Sequence, residues 1–549
     1  MGDLYWGDNL EILRTYIPDG SVDLVYLDPP FNSNRNYNVL FKETNRAESD
    51  AQIEAFTDTW HWTQQAEETY AELIHGNNVP QKVSDLIVAM RSFIGSNDVM
   101  AYLVMMTIRL LELHRVLKPT GSIYLHCDPT ASHYLKVVMD TIWHPANFKS
   151  EIIWKRSSAH SDTKQGRKQH GRIHDVILFY TKGDQWIWSP VYTPYDQSYV
   201  DTFYRHVEVE TGRRYTLGDL TGPGGAAKGN PSYEVMGVTR YWRFSRERME
   251  QLIREGRVVQ GRPGSVPRYK RYLDEQQGIP LQDVWTDVDP IGAHATERLG
   301  YPTQKPEALL ERIIKASSNE GDVVFDPFCG CGTTIAVAER LNRRWIGIDV
   351  THLAIAAIVS RMEAAFPGVE IERHGEPADL GGARALAQLD RYDFQNWALA
   401  FVGARPIASG ADGKSKKGAD RGIDGVISFL GENEKTPHRC LVQVKSGAVN
   451  SRDIRDLKGT LERENAEMGV FITLAEPSSP MKLEAVEAGF YRSELMKQDY
   501  PRIQILTIAE LFDQRSPQMP PRFSPYQLAT RQKRDSQQRG LFDERVGGA

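Results

Sequence analysis

Four cysteines in 549 residues, Cys127, Cys329, Cys331 and Cys440, are too few and too scattered for a disulfide framework or for paired zinc-binding CxxC motifs. A reducing, cytoplasmic setting follows as the expectation. Long apolar runs are missing as well: the most apolar helical stretch, residues 101 to 113, is interrupted by Arg109 and is too short to cross a bilayer. Met1 leads straight into GDLYWGDN, so no secretory leader is expected. Excess positive charge is absent too. The formal net charge of -6 argues against a generally basic nucleic-acid coat and leaves any such binding to local patches. No internal repeat is found. What is there is ordinary globular composition, 40% hydrophobic and 25% charged, in a chain long enough for roughly two to four domains.

The amino end reads as strand, turn, helix, strand: LYW, GDN, LEILRTYI and VDLVYL, with Asp8 or Asn9 suited to cap the helix. The strand Val22 to Leu27 then runs into DPPFN. Pro29 and Pro30 have fixed φ and no N–H, so the backbone offers only carbonyl acceptors there, beside the Asp28 carboxylate and the face of Phe31. A rigid group of acceptors next to a flat apolar plate suits a planar ring carrying an NH2 group. Asp-Pro pairs also end strands as simple turns, and DPP alone leaves both readings open. Further on, a helical pattern from about 97 to 117 stops at Lys118-Pro-Thr-Gly, and SIYLHCD (122 to 128) and DVILFYT (175 to 181) read as strands. Between 183 and 295 periodicity weakens and Trp, Tyr, Arg and Gly dominate, as in an inserted, loop-rich recognition region.

Order returns with YPTQKPEALLERIIKASS, where Pro306 opens a helix with Leu309, Leu310, Ile313 and Ile314 on one face. Next, VVFDPFCGCGTTIAVAERLNRRWIGIDV scans as strand, glycine loop, helix, strand. Gly330 and Gly332 permit close backbone approach to a ligand, and the helix starting near Thr333 offers free N–H groups. Asp349 ends the next strand, 23 residues after Asp326, near the offset at which an acid meets ribose hydroxyls in nucleotide-binding βαβ units. The third glycine of a dinucleotide fingerprint is absent, and Asp326 and Phe328 stand in the loop. An acidic loop favours a cationic cofactor without phosphates, and S-adenosylmethionine fits that description. Cys329 and Cys331 read as small buried fillers.

Together, LDPPFN at 27 to 32 and DPFCGCGTT at 326 to 334 resemble the amino-methylating DNA methyltransferases, the adenine-N6 and cytosine-N4 enzymes. The acceptor motif lies upstream, then a recognition region, then the cofactor motif, as in the circularly permuted β class. The resemblance covers roughly residues 1 to 365. It implies a Rossmann-like α/β fold, with Asp28, Pro29, Pro30 and Phe31 at the target base. It also implies Asp8, Thr303, Gln304, Lys305, Asp326, Phe328, Gly330, Gly332, Thr333 and Asp349 around S-adenosylmethionine. Adenine's N6 lone pair is delocalised into the ring, so acceptors at Asp28 and the Pro29 carbonyl would hold the NH2 as it becomes tetrahedral. Phe31 would stack on a base flipped from double-stranded DNA. The resemblance implies direct attack on the methyl group with no covalent enzyme intermediate, and DPP leans towards adenine.

The residues from 374 to 389, rich in Gly, Ala and Pro, read as a linker between a methyltransferase domain (1–373, with 155–295 its recognition region) and a second domain at 390–515; the tail 516–549 reads as disordered. In the second domain RGIDGVISFL and RCLVQVKSG resemble the Q-x-K branch of the PD-(D/E)xK nucleases. Asp424 and Gln443 would then help hold Mg2+, with Lys445 steadying the water or phosphate. An amphipathic strand with a solvated lysine, or an inactive DNA-binding module, fits the same residues. Lys155, Arg156, Lys164, Arg167, Lys168 and Arg172 form a basic stretch read as phosphate contacts or a solvated loop. His126 and Asp128 are read as organising a strand end, with a functional place near the target pocket, implied by the resemblance, as the lesser alternative, and Trp154 as core packing, with lining of the base pocket as its alternative. The expectation is an adenine-N6 methyltransferase with a Mg-dependent endonuclease domain for restriction and modification. The alternatives are a cytosine-N4 enzyme or a nuclease-led phage-defence protein. Double-stranded DNA is the expected partner, a second copy of the chain is an option, and no membrane is involved.

Overall fold

A computed structural model describes the chain except residues 1, 31–35, 43–47, 58–60, 158–167, 169, 293–294, 296, 300–302, 378, 408–421, 432–436 and 523–549. Phe31, Lys164, Arg167 and most of the tail expected to be disordered therefore lie outside the described residues. Two compact units are present: residues 1–189 with 283–549, and residues 190–282.

The first unit holds a nine-stranded mixed sheet. In chain order its strands are β1 (Gly2–Trp6), β2 (Val22–Leu27), β3 (Leu117–Cys127), β4 (Phe148–Lys155), β5 (His174–Thr181), β6 (Val284–Trp285), β7 (Val323–Asp326), β8 (Arg344–Asp349) and β9 (Ile371–His374). In space they run β6-β4-β5-β3-β2-β7-β8-β1-β9. From β3 through β9 neighbouring strands are parallel, and β5 is antiparallel to both β3 and β4. Every residue of β2 is buried, as expected for a strand covered on both faces. The core on this sheet gathers β2, β3 and the helix Asp98–Val116.

The decisive pairing is β2 with β7, Leu24 opposite Val324 and Val25 opposite Phe325, across almost three hundred residues of sequence. Parallel pairing sets the carboxyl ends of both strands side by side. Strand β3 begins at Leu117, five residues before the sequence pattern indicates, because Val22 pairs with Leu117 ahead of an irregularity in register. The helices Gln64–His75 and Gln81–Ile94 also belong to this unit.

The stretch expected as a linker contains the helix Leu380–Leu389, capped by Asp379; its Ala383 and Leu386 enter the core of the carboxyl-terminal region, so its small residues serve packing. That region carries a five-stranded sheet in which Gly425–Leu430 is antiparallel, and Met468–Thr473 parallel, to Pro437–Lys445. The second unit, 190–282, is built from strands of two to six residues and the helix Arg246–Arg254 around Trp242, Leu252 and their neighbours. Strands this short leave little periodicity to read. Among the described residues no helix is long and apolar enough to cross a membrane.

Candidate active site

One cavity of about 550 Å³ opens at the carboxyl edge of β2, β7 and β8, within the size range of small-molecule sites. Its lining includes Asp8, Tyr26, Asp28, Pro30, Thr303, Gln304, Lys305, Asp326, Phe328, Gly330, Thr333 and Asp349. Most of the residues expected at a base and at a cofactor thus share a single space. Pro29 is buried beside it, and Gly332 caps the helix behind it.

At the acceptor corner, Asp28 Oδ2 accepts a hydrogen bond from Lys305 Nζ. Its Oδ1 is buried and has no hydrogen-bond partner among the described residues. An unsatisfied buried carboxylate oxygen costs free energy unless a donor arrives, so this atom marks where a guest's N–H belongs.

The glycine loop is held from several sides. Asp326 Oδ1 accepts from Phe328 N at 3.1 Å and Oδ2 from Thr334 Oγ1 at 2.6 Å. Burial nevertheless pushes the Asp326 carboxyl up to about 7, against those two hydrogen bonds and with the Asp28 and Asp349 charges adding to the rise. Asp349 ties its own strand end to the loop, accepting from Gly330 N at 2.9 Å and from both Thr351 N and Thr351 Oγ1; burial raises its pKa as well. Gly332 sits at φ +74°, and a Cβ there would lie 2.7 Å from Ile358 Cγ1. The helix Thr333–Arg340 therefore begins without a side-chain cap and presents free N–H groups at the cavity. Cys329 and Cys331 are buried and burial raises both thiols, in keeping with packing rather than ligation.

Other expected residues hold the frame. Asp8 caps the helix Asn9–Tyr16 through Leu10 N and pairs with Arg109 at 2.8 Å. Gln304 bridges Leu299 N and the Glu297 carbonyl.

Sequence reasoning missed several contributors. Arg109, read only as a break in an apolar stretch, is buried and binds Asp8, Asn9 and the Met105 carbonyl; a lone arginine in such a helix was the available signal. Asn9 donates to the Pro327 carbonyl at 2.8 Å, fastening the first helix to the loop. Arg361 braces the Cys331 carbonyl and Glu307. Asp393, from the helix Arg391–Phe401, also lines the cavity. Arg156, read as a phosphate contact, pairs with Asp175 at 3.2 Å, and Arg172 donates to Thr130.

Just ahead of the strand Gly425–Leu430, Asp424 Oδ2 accepts from Val444 N at 2.6 Å, and Gln443 Oε1 is buried without a hydrogen-bond partner among the described residues. Gln443 and Lys445 share one face of their strand. Among the described residues no trio of acidic or histidine ligand atoms gathers there, and magnesium favours octahedral oxygen donors.

Residues 22–360 match a family of N6/N4 enzymes described as DNA methylase, and residues 409–513 match one described as NACHT-associated inactive Restriction Endonuclease 1. The chain is 30% identical over 264 residues to the Type II methyltransferase M.EcaI of Enterobacter cloacae, covering 48% of this chain and 57% of that one. It is 26% identical over 359 residues to the DNA adenine methyltransferase YhdJ of Escherichia coli K12, covering 65% and 82%. The solved PvuII DNA methyltransferase, cytosine-N4-specific, aligns at 15% identity and a TM-score of 0.31, over 68% of this chain and 95% of that one. The chain spans about half the length of the first curated relatives it matches.

Proposed function

The chain belongs to the N6/N4 DNA methylase family, and from that premise we propose that it methylates the exocyclic amine of a base flipped from double-stranded DNA, adenine N6 in the first instance, with S-adenosylmethionine as donor. The observation that carries this is Asp28 Oδ1, buried and without a partner among the described residues, in the same cavity as the acidic glycine loop. When bound, S-adenosylmethionine supplies an electrophilic methyl group. An acidic cavity with free helix N–H groups fits its cationic and nucleoside parts, held by Asp326, Phe328, Gly330, Gly332, Thr333 and Asp349, with Thr303, Lys305 and Asp8 at the edges.

Asp28 Oδ1 and the Pro29 carbonyl accept the amine's N–H bonds as the nitrogen turns tetrahedral. Pro30 stiffens the corner and Phe31 offers a stacking face. Lys305 holds the second Asp28 oxygen and so fixes the carboxylate plane. Once methylated, the amine would carry one proton too many, and Asp28 Oδ1, already accepting that N–H, would take it and pass it to solvent. Unit 190–282 is the proposed DNA-reading element: its fourteen basic against eleven acidic residues give a local charge of +3 in a chain of -6. Single-molecule sequencing of DNA from expressing cells tests the assignment. Modified adenine in one short motif is expected; modification at cytosine N4 would move the enzyme to the other branch, and unmodified DNA would refute the proposal.

For the carboxyl-terminal domain the reading is DNA engagement. Nuclease action remains as a second reading because Asp424, one residue ahead of the strand Gly425–Leu430, accepts from Val444 N, which lies between Gln443 and Lys445 on the paired strand. Magnesium-dependent cleavage that Lys445→Ala abolishes and Asp28→Ala retains would establish it.

A further inference from the structure

A buried polar chain lies beneath the acceptor corner. The Tyr26 hydroxyl is 2.9 Å from His126 Nδ1, and His126 Nε2 is 3.2 Å from Asp175 Oδ2. All three residues are at most 2% exposed. They come from three adjacent strands, β2, β3 and β5, by diagonal pairing: Tyr26 lies opposite Tyr124, two residues before His126, and His126 lies opposite Ile177, two residues after Asp175. Tyr26 is the penultimate residue of β2 and Asp28 the first beyond its end, and both line the cavity.

The direction of the hydrogen bonds follows from the charges. Asp175 stands against burial, which would raise its pKa, yet His126, Lys305 and Arg156 bring it below the usual carboxylate value, so it is ionised and can only accept. His126 Nε2 therefore carries the hydrogen. In the neutral ring Nδ1 is then a lone pair, and the hydrogen between it and Tyr26 must come from the phenol. Burial first, then the Asp28, Asp326 and Asp175 charges, hold the Tyr26 phenol well above its ordinary pKa, so it stays protonated and donates. With its one hydrogen spent on His126, the Tyr26 oxygen has only lone pairs left for the cavity. The Trp154 indole, edge-on to His126, spends its N–H on the Val288 carbonyl and does not compete.

We propose that Tyr26 is a further acceptor for the target amine, and that His126 and Asp175 are positioning residues that fix its hydrogen away from the cavity. A phenol free to rotate could welcome either a carbonyl or an amine; locked in this way it welcomes an N–H donor and opposes a base whose ring edge presents an oxygen. The inference rests on the proposed amine methylation.

Asp175→Asn tests it, because an amide can donate to His126 Nε2, transfer the ring hydrogen to Nδ1 and turn the Tyr26 hydroxyl towards the cavity as a donor. Turnover at saturating S-adenosylmethionine on duplex DNA is the readout, with melting temperature as control. Tyr26→Phe removes one acceptor and should slow turnover roughly tenfold. Asp175→Asn should be slower than Tyr26→Phe, and the double variant should return to the Tyr26→Phe rate. A merely structural role for Asp175 would make the losses multiply, and that result, or an Asp175→Asn enzyme as fast as Tyr26→Phe, overturns the inference while leaving amine methylation intact. Absence of methylated amine from the unaltered protein overturns both. Histidine-selective nitrogen NMR of the unaltered chain needs no variant to fold: His126 should show a protonated Nε2 and a bare Nδ1, and the opposite tautomer contradicts the assignment.

Discussion

In the proposed reaction the chemistry turns on Asp28, one oxygen of which is spent on Lys305 while the other is buried with no hydrogen-bond partner among the described residues. Asp28→Ala should lower turnover by about 100-fold or more, the scale of losing a charge-stabilising group, while calorimetry finds S-adenosylmethionine affinity nearly unchanged. Equal loss of both would make Asp28 a cofactor ligand instead. Asp326 gives a pH signature. Its folded pKa of about 7 lies above the unfolded value of about 3.9. The folded protein thus holds a proton the unfolded chain has shed between those values; the associated stability is complete below the unfolded pKa and lost as pH rises through the folded one. A cationic cofactor in the cavity favours the ionised carboxylate. Binding near pH 6 should therefore release a proton, seen as a dependence of binding enthalpy on buffer, and the release should vanish in Asp326→Asn. At this scale motif spacing singled out Asp28, Asp326 and Asp349, which the fold brings to one cavity. It did not reveal Asn9, Arg361, Tyr26 or Asp175, whose roles come from partners far off in the chain.

Among elements, the turn from β7 into the helix Thr333–Arg340 depends most on one residue type. Gly332 takes a left-handed conformation with Ile358 packed where a side chain would go. Gly332→Ala should cost about 1–2 kcal/mol from backbone strain, more if Ile358 cannot yield, and should be read as a lower melting temperature together with weaker cofactor binding. A stable variant with full affinity would show that the loop tolerates a different path. Strong hydrophobic patterns made β2, β7, β8 and the helices Asp98–Val116 and Glu307–Ser317 legible. The helix Leu380–Leu389 hid behind Gly381, Gly382 and the preceding Pro377, whose low helix propensity was outweighed by packing on the carboxyl-terminal core. The two-residue strands of unit 190–282 carry too few residues to display an alternation at all.

For the molecule as a whole, the order of strands in the sheet matters more than their order in the chain. Placing β2 against β7 brings the Asp28 corner and the glycine loop to one edge although unit 190–282 intervenes in sequence. The central claim is that these two places serve one reaction. The structure of the chain with bound S-adenosylmethionine tests this most directly. We expect the nucleoside beside Asp349 and the methyl group directed at the space before Asp28 Oδ1, at the roughly 3–3.5 Å a reacting nitrogen would need. A cofactor bound outside this cavity, or with its methyl group turned from Asp28, would contradict the account.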